Sequence, residues 1–436
     1  MNFTGESMKL NFLSKICAAA AILAGTTATF AGDFFKSDLA DPNLPADKLY
    51  PQGQKFPFSG YSPASVKGFK DLGFTAAGPT YGKGKDKLAL KAHAEGIASI
   101  WQLAAVYDGV TLDSKDKLAK AAKAAGKNGI DWKKMDACVQ KAVKDAIKAG
   151  NNNIAWWALA VEEVRWWNKN ELKYLEVAYK AVKKADPEKR PMFVYMPGHY
   201  GSEGMRKYMP FMDMLAQGYY PNFGDRAGYR LWCENVQRTI KGFPGRFMVA
   251  VTEMYRDPKV EEDYGLIPAF VRHDVWMSII HGFKGIVVFS LANRRNFDSH
   301  GEYFFAYTEV AKELNRAENG LAKVVLFGQD KGDIKIKVVE GSETVTITRK
   351  KKKPAGEIKF TFPTVKWRDV IHNTGRYCFA ASSSKTPVKA VLSGLPKQPV
   401  TVIDAASGKV LGKTADGTFK LDFGPHGVQL LKFVAE

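Results

Sequence analysis

Cysteine, histidine and long apolar runs are all scarce in this chain, and each scarcity removes a class of protein. Only four cysteines occur in 436 residues, Cys17, Cys138, Cys233 and Cys378, with no metal-type spacing among them. Neither a zinc module nor a small disulfide-framed domain fits that pattern. Cys17 lies in the N-terminal segment, so at most one disulfide can form among the other three. We expect none, with the thiols buried as small apolar groups. The seven histidines are scattered, so no catalytic metal and no cofactor are expected. No stretch after residue 31 is long and apolar enough to span a bilayer. GKGK at 82–85 lacks the spacing and the following Ser or Thr of a phosphate loop. No nucleophile elbow is present, and no internal repeat.

What is present begins with a targeting segment. Met8 and Lys9 open a short basic stretch ending at Lys15, an apolar run covers Ile16–Ala24, and small residues follow to Ala31. This is the layout of a secretory signal. Cleavage is expected after Ala31, with Ala28 the second choice, and Met8 is a candidate start. No Cys follows Leu23-Ala24-Gly25, which argues against a lipid anchor. The expectation is a secreted or periplasmic protein, with no membrane association once the signal is removed.

The formal net charge is +19, and loss of residues 1–31 hardly changes it. A basic balance can mark a nucleic-acid partner. Here the excess is diffuse Lys on helical stretches (117–149 and 169–190) and a KKKK run at 350–353. Solvated helix faces and one exposed hairpin tip account for most of it. No nucleic-acid partner is expected, while an anionic glycan stays open.

Residues 32–54 read as an irregular lead-in. From 55 to 321 short apolar strands alternate with amphipathic helices: candidate strands at 55–63, 73–82, 96–104, 153–163, 191–200, 213–221, 245–255 and 283–294. Helical patterns cover 64–71, 114–149 with a break near Gly126–Gly129, 170–185 and 267–281. Eight strands over that length predict a (β/α)8 TIM barrel. From 322 to 436 alternation takes over, in segments such as ETVTITRK and TFKLDF separated by Gly-containing turns. That texture predicts an all-β sandwich.

Two segments carry the chemistry. NIAWWALAVEE ends in Glu162 and Glu163, and GRFMVAVTEMY carries Glu253 near its end. Each is an apolar run closed by a carboxylate, and in a barrel the C-terminal strand ends face the reaction site. Two carboxylates facing one cleft suit glycosidic bond cleavage: one protonates the leaving oxygen, and the other attacks the sugar or activates water. Neighbouring side chains on a strand point to opposite faces, so only one of Glu162 and Glu163 should face the cleft. Glu162 is favoured, with Glu163 the alternative acid/base. Rim aromatics and polar groups complete a carbohydrate-binding set: Tyr61, Tyr81, Trp101, His199, Tyr219, Tyr220, Tyr255 and Arg294. Trp101 is a candidate stacking platform, and Trp166 and Trp167 a candidate subsite floor.

These residues resemble the retaining glycoside hydrolases of clan A. The likeness rests on Trp157-x-Leu159-x-x-Glu162, on Glu253 at the end of strand seven, on HGFKGIVVFSLANR at strand eight, and on the closing GTFKLDFGPHGVQLLKF. It covers most of 55–436 at the level of pattern, without pointing to a family within the clan. The resemblance implies Glu162 as acid/base, Glu253 as nucleophile, a Tyr near 219–220 on the nucleophile, and a β-linked oligo- or polysaccharide as substrate. The chain departs from the clan at Val161, where Asn is usual, and at Phe289-Ser290, where Trp is usual. The first departure feeds an alternative, a glycan-binding barrel that has lost turnover.

Overall fold

The computed structural model describes residues 34–35, 55–82, 84–221, 226–316, 318–352, 355–373 and 375–436. The signal and most of the lead-in therefore lie outside the described residues. Eight barrel strands follow in order: β1 (Phe58–Gly60), β2 (Ala76–Ala77), β3 (Ala98–Leu103), β4 (Ile154–Leu159), β5 in two pieces (Met192–Phe193 and Tyr195–Pro197), β6 (Met214–Gly218), β7 (Phe247–Glu253) and β8 (Ile286–Phe289). β2, β3, β4 and the first piece of β5 pair in parallel, as do the second piece of β5, β6, β7, β8 and β1. A bridge between Gly60 and Gly78 and the Thr75 N–H donating to the Phe58 carbonyl at 3.0 Å bring β1 and β2 together and close the ring. Each strand falls inside its expected segment.

The strands read as unbroken apolar runs because both faces are covered. All six residues of β4 are buried. Trp156 turns into the barrel, where its ring lies 6.2 Å from Phe247 on the non-adjacent β7 and 6.4 Å from Phe193. A Cβ on Gly285 would come within 2.9 Å of the Trp156 ring, so only glycine leaves room for it there. Trp157, one residue on, faces the helical layer and donates from Nε1 to Asp186 at 2.9 Å. This alternation sets the two faces of β4.

The long helical stretch is split as expected, into Lys115–Ala124 and Trp132–Ala149. Ser114 and Asp131 cap the two helices by accepting first-turn amides. The helix expected at 64–71 is not formed: these residues make turns. Gly73, at φ 84°, closes that segment so near the Ala311 carbonyl that a Cβ would lie 2.4 Å from it, which fixes a tight turn rather than a helix. Helices Lys85–Ala94, Gly201–Tyr208, Arg226–Ile240 and His300–Asn315 complete most of the outer ring.

A six-stranded antiparallel sheet and a three-stranded one form the C-terminal sandwich, around Val338, Leu392, Val402, Leu431 and Phe433 among others. In strand Gly375–Ser382 the period of two divides labour. Cys378 and Ala380 enter the sandwich core, while Tyr377, Phe379 and Ala381 join the barrel core. They meet helix Ile267–Ile280, which is apolar on nearly every side because it is buried between the two layers. Trp276 packs on Phe379 there, with ring centroids 5.2 Å apart. Arg272 donates to the Val428 carbonyl at 2.9 Å while paired with Glu313 at 2.8 Å.

Two further features link distant parts. Phe34, from the lead-in, is buried in the sandwich core. Arg376 stacks 4.3 Å from its ring centroid and donates to its carbonyl at 3.1 Å. A long hairpin, Thr344–Lys352 with Ala355–Pro363, leaves the sandwich and lies along helix Arg226–Ile240. Arg230 is held there over the Phe362 ring at 4.6 Å and donates to the Pro363 carbonyl. Cys138, Cys233 and Cys378 are free thiols; Cys138 is half-buried and the other two are buried. No helix among the described residues is long and apolar enough to cross a membrane.

Candidate active site

The site assembles at the C-terminal ends of the strands. β4 ends at Leu159, and the chain then turns, with the Glu162 N–H donating to the Ala160 carbonyl at 3.0 Å. Two tyrosines reach the Glu162 side chain. Tyr61, after β1, donates to Glu162 Oε1 at 3.0 Å, and Tyr81, after β2, donates to Oε2 at 2.7 Å. The two rings stack with centroids 5.5 Å apart. Both carboxylate oxygens are thus occupied by hydroxyls that favour the ionised form. Burial among these rings outweighs them, and with a smaller push from Glu163 it raises the Glu162 carboxyl from 4.5 to about 7.

Glu163 turns elsewhere. Its backbone is left-handed, φ 51°. Its carboxylate pairs with Lys115 at 3.0 Å, both side chains partly open to solvent. The Tyr200 hydroxyl donates to its carbonyl at 3.0 Å. The two tyrosines therefore converge on Glu162 and not on its neighbour.

Glu253 closes β7 in register with Phe289 on β8, and its phase matches the inward-facing Phe247. It is buried. Tyr307 holds its carbonyl at 2.9 Å, and Arg256 Nε lies 3.5 Å from its Oε1. Phe289 joins the two carboxylates' surroundings: its ring packs edge-on against Tyr61 at 5.4 Å, stacks on Tyr220 at 5.8 Å and meets Tyr255 at 6.1 Å. Its peptide bond to Ser290 is cis.

The Tyr220 and Tyr195 hydroxyls lie 3.3 Å apart, above Gly218, where a Cβ would sit 2.8 Å from one and 2.9 Å from the other. Burial pushes the Tyr195 phenol to about 12 and Tyr220 well above its ordinary value, so both are neutral donors. Tyr219 stacks on Trp232 at 6.1 Å. Tyr195, His199, Tyr219, Tyr220 and Tyr255 line a cavity of about 450 Å³ together with Arg256 and Arg349. Arg294 is exposed at the rim, 4.9 Å over Phe289 and donating to Ser290 Oγ at 3.1 Å. Trp167, exposed, packs at 5.3 Å on Tyr200 and at 5.3 Å on Trp166, which places an aromatic surface on the loop that follows Glu162.

One expected residue is placed outside the cleft. Trp101 pairs in register with Trp157, the Trp that faces the helices, and its ring packs against Gly150 at the end of helix Trp132–Ala149. It is a wall of the layer between β3 and that helix, not a rim platform. Conversely, Tyr195, Arg256, Lys115 and Arg349 belong to the site or its edge without having been singled out. Tyr195 stands in the strand-five run and Arg256 directly follows Tyr255, so both had a local signal. Arg349 comes from the C-terminal domain and had none. No group of metal-ligating side chains occurs among the described residues.

No protein-family model matches this sequence, and no curated protein does. Solved structures do match in fold. AmyP in complex with maltose aligns with TM-score 0.54 at 10% identity, covering 90% of this chain and 98% of that one. A noncanonic maltogenic alpha-amylase, AmyB from Thermotoga neapolitana, aligns with TM-score 0.52 at 10% identity over 90% of this chain and 100% of that one. A GH27 β-L-arabinopyranosidase from Geobacillus stearothermophilus, in complex with arabinose, aligns with TM-score 0.50 at 12% identity over 89% and 99%. The chain thus has the fold of TIM-barrel glycosidases that carry a C-terminal β-domain.

Proposed function

We propose that this protein is an exported glycoside hydrolase that cleaves a β-linked oligo- or polysaccharide with retention of configuration. The observation that carries the reading is the Glu162 carboxyl, held by Tyr61 and Tyr81 and poised near neutral pH. Such a group can give up a proton and take it back within one cycle. In the first step a Glu253 oxygen attacks the anomeric carbon while Glu162 protonates the departing glycosidic oxygen, leaving a glycosyl–Glu253 ester. In the second, Glu162 takes a proton from water, the water oxygen bonds to the anomeric carbon, and Glu253 leaves. Tyr195, Tyr220 and Tyr255 offer neutral hydroxyls and ring faces to the sugar. Support from the comparisons is the shared fold, and fold alone does not assign chemistry.

A second reading is a glycan-binding barrel without turnover. It is favoured by Val161, fully buried, where the clan's amide would stand. One experiment separates the two. Glu253→Ala should reduce hydrolysis to background on every substrate. Glu162→Ala should lose activity on natural glycosides by about 10²–10⁴-fold yet retain much of it on aryl glycosides that leave without a proton. Azide should rescue Glu162→Ala with a β-configured product, and Glu253→Gly with the opposite anomer. Binding of a glycan panel with no turnover by the wild type would replace the first reading with the second.

A further inference from the structure

The cavity beside Glu253 is finished by a residue from the other domain. On hairpin Thr344–Lys352 the alternation puts Val345, Ile347 and Arg349 on one face, opposite Phe362, Phe360 and Ile358 in register. That apolar stripe lies toward helix Arg226–Ile240, where Arg230 clamps Phe362 and Pro363. Arg349, at the end of the stripe, is delivered to the barrel mouth, 5.9 Å from the Tyr219 ring centroid. It lines the same cavity as Arg256 and His199. The neighbours of these groups are tyrosines and glycines, and no acidic side chain is among the described residues lining the cavity. Arg256 is engaged by Glu253 at 3.5 Å and by the Tyr255 hydroxyl. Arg349 has no acidic partner among the described residues. Arg294 adds a further guanidinium at the rim, over Phe289 and Tyr255.

We propose that this cavity is a subsite for a sugar bearing a negative charge, with Arg349 of the C-terminal hairpin as its anion-binding residue. The inference rests on the glycan-cleft reading above and names the substrate class of that cleft: an acidic glycan, its carboxylate or sulfate ester facing Arg349. A guanidinium fork matches the paired oxygens of either group. The phenols beside it are neutral donors and supply no competing charge. The sandwich thereby acquires a role in recognition, since it positions the hairpin that carries Arg349.

The test is binding, which does not require turnover, so its failure is distinguishable from failure of the hydrolase assignment. Affinity electrophoresis would be run with carboxymethyl-cellulose, cellulose sulfate and neutral hydroxyethyl-cellulose, comparing the full chain with Arg349→Gln, Arg349→Lys and Lys120→Gln. Lys120, exposed on an outer helix, controls for the general attraction of a basic protein to a polyanion. Arg349→Gln should weaken retention by an anionic polymer about tenfold, the scale of one charge-assisted contact, with Arg349→Lys intermediate and Lys120→Gln close to wild type. The neutral polymer should not distinguish the variants. Loss confined to carboxymethyl-cellulose assigns a carboxylate, and loss confined to cellulose sulfate assigns a sulfate. Equal behaviour of wild type and Arg349→Gln on both anionic polymers, including no retention at all, overturns the proposal. So does an equal loss for Lys120→Gln. An unchanged thermal midpoint for Arg349→Gln excludes misfolding as the cause of a loss.

Discussion

The Tyr81 hydroxyl donates to Glu162 Oε2 across 2.7 Å from a ring stacked on Tyr61, whose own hydroxyl holds Oε1 at 3.0 Å. Each hydroxyl stabilises the anion, and burial opposes it. Burial prevails, and the carboxyl titrates at about 7. The two phenols and the burial thus set the titration of this carboxyl against each other.

A pH profile reads that titration directly. In the proposed mechanism Glu162 must be protonated to start the cycle, so kcat/KM should fall as pH rises through about 7. Tyr81→Phe removes a hydrogen bond that favours the anion, so the basic limb should move upward by about one pH unit. Tyr61→Phe should move it the same way. A basic limb that stays put in both variants would detach Glu162 from the acid role.

Stability should show the same group from the other side. Its folded value, about 7, exceeds its ordinary 4.5, so the folded chain binds this proton more tightly than the unfolded chain does. That contribution is fully present below the unfolded value and is lost as pH rises through the folded one. Glu162→Gln should therefore stabilise the protein at pH 8 by up to about 3 kcal/mol, less any screening at the partly open mouth, and by little at pH 4. Denaturant titrations at the two pH values check this. Buried Asp274 also titrates at about 7, but it is common to both proteins and cancels. A gain of equal size at both pH values would contradict the linkage.

The adjacent carboxylate should behave differently. Glu163 spends its charge on Lys115 in a partly exposed pair, which is worth at most about 1 kcal/mol. Glu163→Ala should keep activity within about threefold and move the basic limb slightly downward, because the Glu163 charge gives the Glu162 carboxyl a small upward push. If Glu163→Ala shows the leaving-group dependence and Glu162→Ala does not, the roles are exchanged.

The two layers should unfold together. Trp276 is fully buried and packs on Phe379 of the sandwich, and truncation of such a ring costs about 3–5 kcal/mol. Trp276→Ala should lower the midpoint of a single calorimetric transition. Two resolved transitions in the wild type would show that the barrel stands without the sandwich.

The strands were legible because burial on both faces leaves a run such as Ile154–Leu159 with almost no polar residue. The direction of each side chain was less so. Trp156 and Trp157 look alike in sequence, and only the partners, Phe247 inside and Asp186 outside, separate them. Trp101 was misplaced for this reason, since its face is inherited from its register with Trp157. The stretch at 64–71 has helical spacing, but Gly73 must pass against the backbone of Ala311, a contact far away in sequence. Glu162 and Glu253 stood out locally, as polar ends of apolar runs. Arg349 did not, because what brings it to the cleft is the docking of a hairpin from another domain.

Phe34 gives the chain an unusual mechanical wiring. Its ring and carbonyl are held by Arg376 inside the sandwich, and the last strand, Val428–Ala435, lies in the same sandwich. The barrel is therefore strung between two anchor points on one domain, like a bead on a clasped cord. Tension applied between the two ends would pass through the clasp first. In an optical trap the earliest rupture should release sandwich, with the barrel and its cleft still intact; a trace in which the barrel yields first would show that the clasp bears no load.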